Sequence, residues 1–392
     1  MAKTYDVVIV GGAVHGASVA YHLAADPAFG GSVLLVDKDP SFQFAATALS
    51  AGSIRQQFSS AINIAISLYG IDFLRGVGER LAVDGERPDI GLTEGGYLFL
   101  ATEAGAATLR RNHALQTKMG ADILHLDPTG LAARFPYLDT AGIAAGAWGR
   151  SGEGWFDGYT LMQALRRKAR ARGVETLTGE VATVERDGDR ATGVRLVDGT
   201  LIAAGAVVLA AGTGAPRLAA RAGVAPPVEA RKRLVFTFSC REPLPGFPLL
   251  IDPSGAYVRP EGDLYLCGMA PPEDDDPPAT DFEVDHGFFA ETIWPILAAR
   301  VPAFEAIKPG RAWAGHYDFN TFDQNAIVGP LPGVDNLLVA TGFSGHGLQQ
   351  APAVGRGLAE LTVHGRYTTL DLSPLGYERI AKGAPLVEAN VV

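Results

Sequence analysis

Cysteine is nearly missing. The chain has two cysteines in 392 residues, Cys240 and Cys267, too few for a disulfide framework and too far apart for metal-ligand spacing. No metal site and a reducing, cytoplasmic setting are therefore expected. Long apolar runs are missing as well. None approaches the roughly 18 residues of a membrane-crossing helix, and Met1-Ala2-Lys3-Thr4-Tyr5-Asp6 leads straight into a strand without an apolar leader, so the chain reads as soluble and unprocessed. Basic charge is in deficit. With 33 Lys and Arg against 43 Asp and Glu, the net charge is −10, which disfavours phosphate backbones and anionic lipid and excludes nucleic acid as an expected partner. Polar low-complexity tracts are also absent, and 47% hydrophobic with 19% charged residues describes a globular chain. Glycine is what the chain has in excess. Its 48 glycines stand against an average of about 7%, so many backbone segments must turn tightly or approach something closely. The length suits two packed domains, or one scaffold with a large insertion.

Tyr5 to Val10 is a continuous β-branched apolar run, the pattern of a strand buried on both faces of a parallel sheet. A glycine turn follows, then helical periodicity from Val14 to Ala25, then a second buried run, Val33 to Val36, ending at Asp37. This is a βαβ unit. Gly158 to Arg172 has helical spacing, and Val181 to Val197 reads as two strands around Asp187-Gly188. The run Ala206 to Ala211 has the all-apolar character of the first strand and is expected to rejoin its sheet. Gly91 to Ala101 and Val228 to Ser239 alternate apolar and polar residues, as in an antiparallel sheet with one wet face. A last buried strand, Leu337 to Ala340, enters Gly342-Phe343-Ser344-Gly345-His346-Gly347 and then a helix from Leu348 to Val363. The prolines flanking Glu273-Asp274-Asp275-Asp276 mark a solvated loop. The expected fold is mixed α/β (α+β): a discontinuous Rossmann-like domain of residues 1–90, 150–225 and 325–392, with a β-rich substrate domain of residues 91–149 and 226–324.

Gly11-Gly12-Ala13-Val14-His15-Gly16 joins strand to helix. Small residues are needed there because the backbone approaches a pyrophosphate held at a helix N-terminus, where free N–H groups and the dipole favour anions. Ala13 stands where the second glycine of this fingerprint usually falls. Asp37 suits ribose hydroxyls and repels a 2′-phosphate, with Lys38 beside it; by residue type alone Lys38 and His15 read as surface and helix-start filler. A nicotinamide enzyme needs only this one turn. Two further turns, Ala210-Ala211-Gly212 and Gly342 to Gly347, point to a larger ligand and favour flavin adenine dinucleotide. Ser344 is not a nucleophile elbow, because that motif needs glycine where His346 stands.

On these segments, together with Ala45-Ala46-Thr47-Ala48-Leu49-Ser50-Ala51-Gly52, the chain resembles the D-amino-acid oxidase superfamily of FAD-dependent oxidoreductases, which includes sarcosine oxidase and the sarcosine and dimethylglycine dehydrogenases. It is more similar still to the FAD-dependent oxidoreductase domain proteins linked to respiratory complex I assembly, through Arg55-Gln56-Gln57-Phe58-Ser59, Val284-Asp285-His286, Trp313 to Tyr317, Asn320 to Asn325 and Ala340 to Ala353. The resemblance implies non-covalent FAD, since Gly315 stands at the position of the family's flavin-linking cysteine. It implies that Gly342, Gly345, His346, Gly347, Leu348 and Gln349 face the flavin, the amides of Gly345 to Leu348 offering N–H groups to the ring. Thr47, Ala48, Leu49 and Ser50 would follow pyrophosphate and ring, Val181 would meet adenine, and Ala211 and Gly212 would line the same ligand.

For the substrate, the resemblance implies an amino acid or secondary amine whose carboxylate is gripped by Arg55, with Tyr257, Arg259, Tyr317, His346 and Gln349 around it. Lys232 and Arg233 are expected to be exposed. The strand Asp263 to Cys267 carries no lysine where oxygen-using relatives place one, which implies a dehydrogenase that hands electrons to a quinone or an electron-transfer protein. Loss of a hydride next to a neutral amine needs no protein base. Two other readings stay open: a flavoprotein assembly or interaction factor with little turnover, and an amine or 2-hydroxy acid oxidase.

Overall fold

The computed structural model describes residues 3–389. Its first sheet is laid down by the apolar runs of the sequence. The first strand, Thr4–Val10, is central, paired in parallel with Val33–Asp37 on one side and Leu201–Leu209 on the other. Strand Leu337–Thr341 pairs in parallel with Leu201–Leu209, Glu175–Thr178 in parallel with Val33–Asp37, and Ile327–Pro330 closes one edge antiparallel. The return strand starts earlier than its apolar core, because Leu201 to Ala203 pair with the hairpin Val181–Asp187 and Arg190–Leu196. Helices Val14–Ala25, Gly158–Ala171 and Gly347–His364 cover the sheet, with Val19, Ala169 and Leu358 in one core cluster with Ile9, Leu35 and Val328.

The second sheet runs in the order Ile307–Asn320, Val228–Cys240, Leu264–Gly268, Tyr257–Glu261, Leu249–Ile251, Tyr97–Ala101, Ala145–Gly149, Ile123–Leu126. Here the alternation expected over Gly91 to Ala101 is corrected. Only Tyr97–Ala101 is a strand, all five residues are buried, and it pairs in parallel with Leu249–Ile251. Helix Glu103–Lys118 supplies the cover on one face through Ala106 and Leu109, while Leu131 and Phe135 lie with Leu98 and Leu100 on the other, so neither face of the strand is wet.

The acidic loop is also not simply solvated. Asp276 forms a two-pronged ion pair with Arg233, at 2.7 Å on each prong, and only 12% of the Arg233 side chain and 11% of that of Asp276 is exposed. Lys232 is likewise engaged, its ammonium 2.8 Å from Asp281. The expectation that Lys232 and Arg233 are free surface cations is therefore overturned: each is held by a carboxylate from the segment that folds over their strand.

Candidate active site

A cavity of about 1020 Å³ runs between the first sheet and the long strand Ile307–Asn320. Its wall is built from the three glycine turns: Gly11, Ala13, Val14 and His15; Ala211 and Gly212; Gly345, Gly347 and Leu348. Asp37, Lys38, Thr47, Ser50, Val181 and Tyr317 complete the expected lining. The volume suits a ligand larger than a nicotinamide pocket would need.

The fit to a dinucleotide can be tested on the backbone. Gly11 has φ +102°, and a Cβ there would lie 2.3 Å from the Ala210 carbonyl oxygen. A Cβ on Gly16 would lie 1.8 Å from the Gly11 carbonyl oxygen. The first and last glycines thus let the turn press against the return strand and let the helix start tightly above it. Ala13 caps this helix without any side-chain hydrogen bond; the Val14 N–H donates to Thr47 Oγ1 at 3.4 Å, and the His15 amide has no acceptor within the helix and remains available to an anion at the cavity wall. His15 stacks on Phe343 with ring centroids 3.8 Å apart, and its Nε2 is buried without a hydrogen-bond partner. Burial drives its pKa down to about 3, so it is a neutral ring with one polar atom that a cofactor could satisfy.

Not every expected contact is available. The Gly12 N–H donates to Asp37 Oδ2 at 2.6 Å and its carbonyl accepts from Arg166 at 2.9 Å, so Gly12 orders Asp37 instead of facing the ligand. Asp37 Oδ1 accepts from the Asp39 amide at 2.9 Å; each carboxylate oxygen keeps a lone pair for hydroxyl donors. Gly16, Ala48, Leu49 and Gly342 stand behind the wall. Leu49 offers its carbonyl to Trp313 Nε1 at 3.0 Å, and the Gly342 N–H is taken by Asp318 Oδ2 at 2.8 Å. The His346 amide, expected to face the flavin, donates to the Phe343 carbonyl at 3.0 Å. The amides of Gly347 and Leu348 open the last helix and have no acceptor within it.

Beyond Tyr317 and Gly345 lies a second group. A Cβ on Gly345 would lie 2.5 Å from the Tyr317 ring, so the turn and the tyrosine are in close contact. Arg55 is 3.0 Å from His346 Nε2 and sits over the rings of Phe58 and Phe99, at 4.6 and 5.0 Å from their centroids. Among the described residues it makes no ion pair. Burial, with the Arg55 charge second, pushes His346 down to about 3; the imidazole is neutral and accepts from the guanidinium, so it adds no positive charge. Burial raises the pKa of both Tyr257 and Tyr317, and their phenols keep their protons.

Two expected substrate residues act differently. Arg259 is 4% exposed, but it donates to the Ala51 carbonyl, to the Pro260 carbonyl at 2.7 Å and to Glu261. It braces the loop before Gly52 and spends four of its five N–H groups on the protein. Of the expected substrate residues only Tyr317 lines the cavity; Arg55, Tyr257, Arg259, His346 and Gln349 do not, and Gln349 Oε1 accepts the backbone N–H of Arg55 at 2.7 Å and so orients the arginine.

Several contributors carried no local signal. Arg166, Phe42, Phe282, His316 and Asp318 lie far from any glycine turn in sequence. Phe42 takes φ +57° and packs under Arg166 at 4.5 Å, while Phe282 stacks on His316 at 4.0 Å in the cavity wall. Asp318 carries the turn before the last helix: burial pushes its pKa up to about 6 against the hydrogen bonds it accepts from backbone amides, Phe343 and Gly342 among them.

Comparison with known proteins agrees with this geometry. Residues 6–361 match the family model described as FAD dependent oxidoreductase, DAO. A Xenopus laevis protein, FAD-dependent oxidoreductase domain-containing protein 1, is 44% identical over 99% of this chain and 85% of its own length. The crystal structure of L-proline dehydrogenase from P. horikoshii superposes with a TM-score of 0.86 at 25% identity, covering 98% of this chain and 100% of that one. Glycine oxidase from Geobacillus kaustophilus gives 0.81 at 27% identity over 95% and 98%.

Proposed function

The chain belongs to the DAO family of FAD-dependent oxidoreductases, and from that premise we propose that it is a dehydrogenase oxidising the carbon–nitrogen bond of an amino acid or N-methylated amino acid. FAD is the cofactor; when bound, it accepts the hydride lost from the carbon beside the substrate nitrogen, leaving an imine that water hydrolyses. The observation that carries the substrate class is Arg55, a cation with aromatic walls and no carboxylate partner among the described residues. A half-buried charge without an ion pair is open to a counter-ion, and a substrate carboxylate supplies two oxygens in the geometry a guanidinium fits. The protonated phenols of Tyr257 and Tyr317 add neutral donors, and Phe99 and Phe58 keep water away. The last helix directs the positive end of its dipole and its free first-turn amides at the cavity, where negative charge develops during the reaction.

The reading as a dehydrogenase rests on the missing lysine; the cation that does lie over the Tyr317 ring, Arg233 at 5.3 Å from its centroid, is paired with Asp276. The cavity wall carries Lys38 at the Asp37 end and no lysine beside Tyr317, and Lys232 is held by Asp281. Electrons then leave to a quinone or an electron-transfer protein. Among the described residues no helix is long and apolar enough to cross a membrane.

The test is anaerobic mixing of the yellow protein with a panel of D-amino acids, L-proline, glycine, sarcosine and 2-hydroxy acids. Bleaching by an amine with a carboxylate, followed by slow recovery of colour in air, is expected. Bleaching by hydroxy acids alone, or by nothing in the panel, rejects the substrate class; recovery within seconds in air rejects the dehydrogenase assignment.

A further inference from the structure

The loop Arg55 to Ser60 has no regular secondary structure, yet its amides are held from three distant parts of the chain. The Arg55 N–H goes to Gln349 in the last helix, at 2.7 Å. The Gln56 N–H goes to the Glu153 carboxylate, which also accepts from Gln57 Nε2 at 2.8 Å. The Ser59 N–H goes to Glu388 Oε2 at 2.7 Å.

Glu388 is the unusual member, because it reaches the loop from the far end of the chain. Its carboxylate accepts from the Ser59 amide and hydroxyl, from the Ser60 hydroxyl and from Asn63 Nδ2 at 2.7 Å. The segment around it is pinned at each side: the Leu386 N–H to Asp323 Oδ2 at 2.9 Å, the Leu386 carbonyl to Asn325 Nδ2 at 2.6 Å, the Ala389 N–H to Ser59 Oγ at 2.6 Å, and the Ala389 carbonyl to Asn112 Nδ2 at 2.7 Å. Asn63 also bonds Asn325 and accepts from Gln350 at 3.0 Å, so the strap, the Arg55 loop and the first turns of the last helix share one polar network. Bonds to a charged carboxylate are the strong ones in such a network.

We propose that residues 383–389 form a strap whose Glu388 is a positioning residue: by holding Ser59 and Ser60 it fixes the backbone that presents Arg55, and so sets the affinity for carboxylate ligands without touching them. This deepens the assignment of Arg55 as the carboxylate grip and rests on it.

The first test needs no ligand. Amide hydrogen exchange over residues 55–60 is compared in the FAD-loaded wild type, in E388A and in a chain ending at Lys382. Exchange at least 10-fold faster in both variants, with bound FAD unchanged, is expected; wild-type rates in both overturn the strap. The second test titrates anthranilate while following the visible band of the bound flavin. E388A should weaken it about 10-fold and E388Q less, and the E388A effect should vanish in an R55M background, because the strap acts only through that side chain. An E388A effect that persists fully without Arg55 overturns the positioning role and marks general loosening. Faster exchange with no anthranilate binding in the wild type keeps the strap and removes the carboxylate assignment, so the two failures are distinguishable.

Discussion

Two inward-facing arginines in this molecule are treated in opposite ways. Arg379 meets both oxygens of Asp323, at 2.7 and 3.0 Å, and spends its other donors on the carbonyls of Leu375, Gly376, Asn325 and Ala326. Asp323 is satisfied in turn by Asn320, Asn325 and Leu386. Arg55 has only a neutral imidazole and two aromatic faces. Folding normally satisfies every buried polar group, because an open one costs about 1–3 kcal/mol or more for a charge. A closed cluster is therefore evidence of structure, and an open one marks where a ligand completes the set. The motif Asn320 to Asn325 belongs to the first kind: it is a brace for the C-terminal segment, though by sequence alone it stands among the segments of family resemblance without a role.

The largest expected effect follows from breaking the closed cluster. D323A leaves Arg379 buried without its counter-ion, a loss of about 3–5 kcal/mol, and should lower Tm by about 5 °C at matched FAD saturation. Thermal unfolding followed by intrinsic fluorescence checks this; an unchanged Tm would remove the distinction between the two arginines. The open site should respond in reverse. R55M removes an unpaired charge, so Tm should stay within about 2 °C of wild type, while anthranilate affinity falls about 100-fold, within the 2–5 kcal/mol range for removing one partner of a buried charge pair. Both outcomes are read from one preparation, by melting and by titration of the flavin band. A large Tm loss with intact anthranilate binding would make Arg55 structural.

Much of this contrast was beyond sequence reading, for a physical reason. Runs such as Val7 to Val10 and the periodicity of Val14 to Ala25 declare strand and helix because burial is written into local residue order. The glycine turns were legible for the same reason: a left-handed backbone at Gly11 and a contact too close for a Cβ at Gly16 both require glycine where they occur. Whether a donor is free is decided elsewhere. The amides of Gly12 and His346 and the guanidinium of Arg259 are of the right type in the right place, yet Asp37, Phe343 and Ala51 take them. Arg166 reaches Gly12 across 154 positions and leaves no local trace. The second sheet is harder still, since a five-residue strand buried on both faces, like Tyr97–Ala101, lacks the alternation that would announce it.

Glu153 offers the finest probe, because it touches the open cluster from below. Burial pushes its carboxyl up to about 7, against the pull of the Gln57 side chain, the Gln56 amide and the Arg55 charge. Its folded pKa lies above the ordinary 4.5, so the folded chain binds the proton more tightly than the unfolded one. Its contribution to stability is then complete below about pH 4.5 and declines as pH rises to about 7, where it levels off. A glutamine stays neutral throughout, so the Tm of wild type minus that of E153Q should be a few degrees more positive at pH 5 than at pH 8. A difference independent of pH would mean that the carboxyl is already ionised at pH 5. In an R55M background the pull of the guanidinium is gone, and the decline should extend to higher pH. If the window does not move, Arg55 and Glu153 do not share a field, and the open cluster is smaller than its geometry indicates.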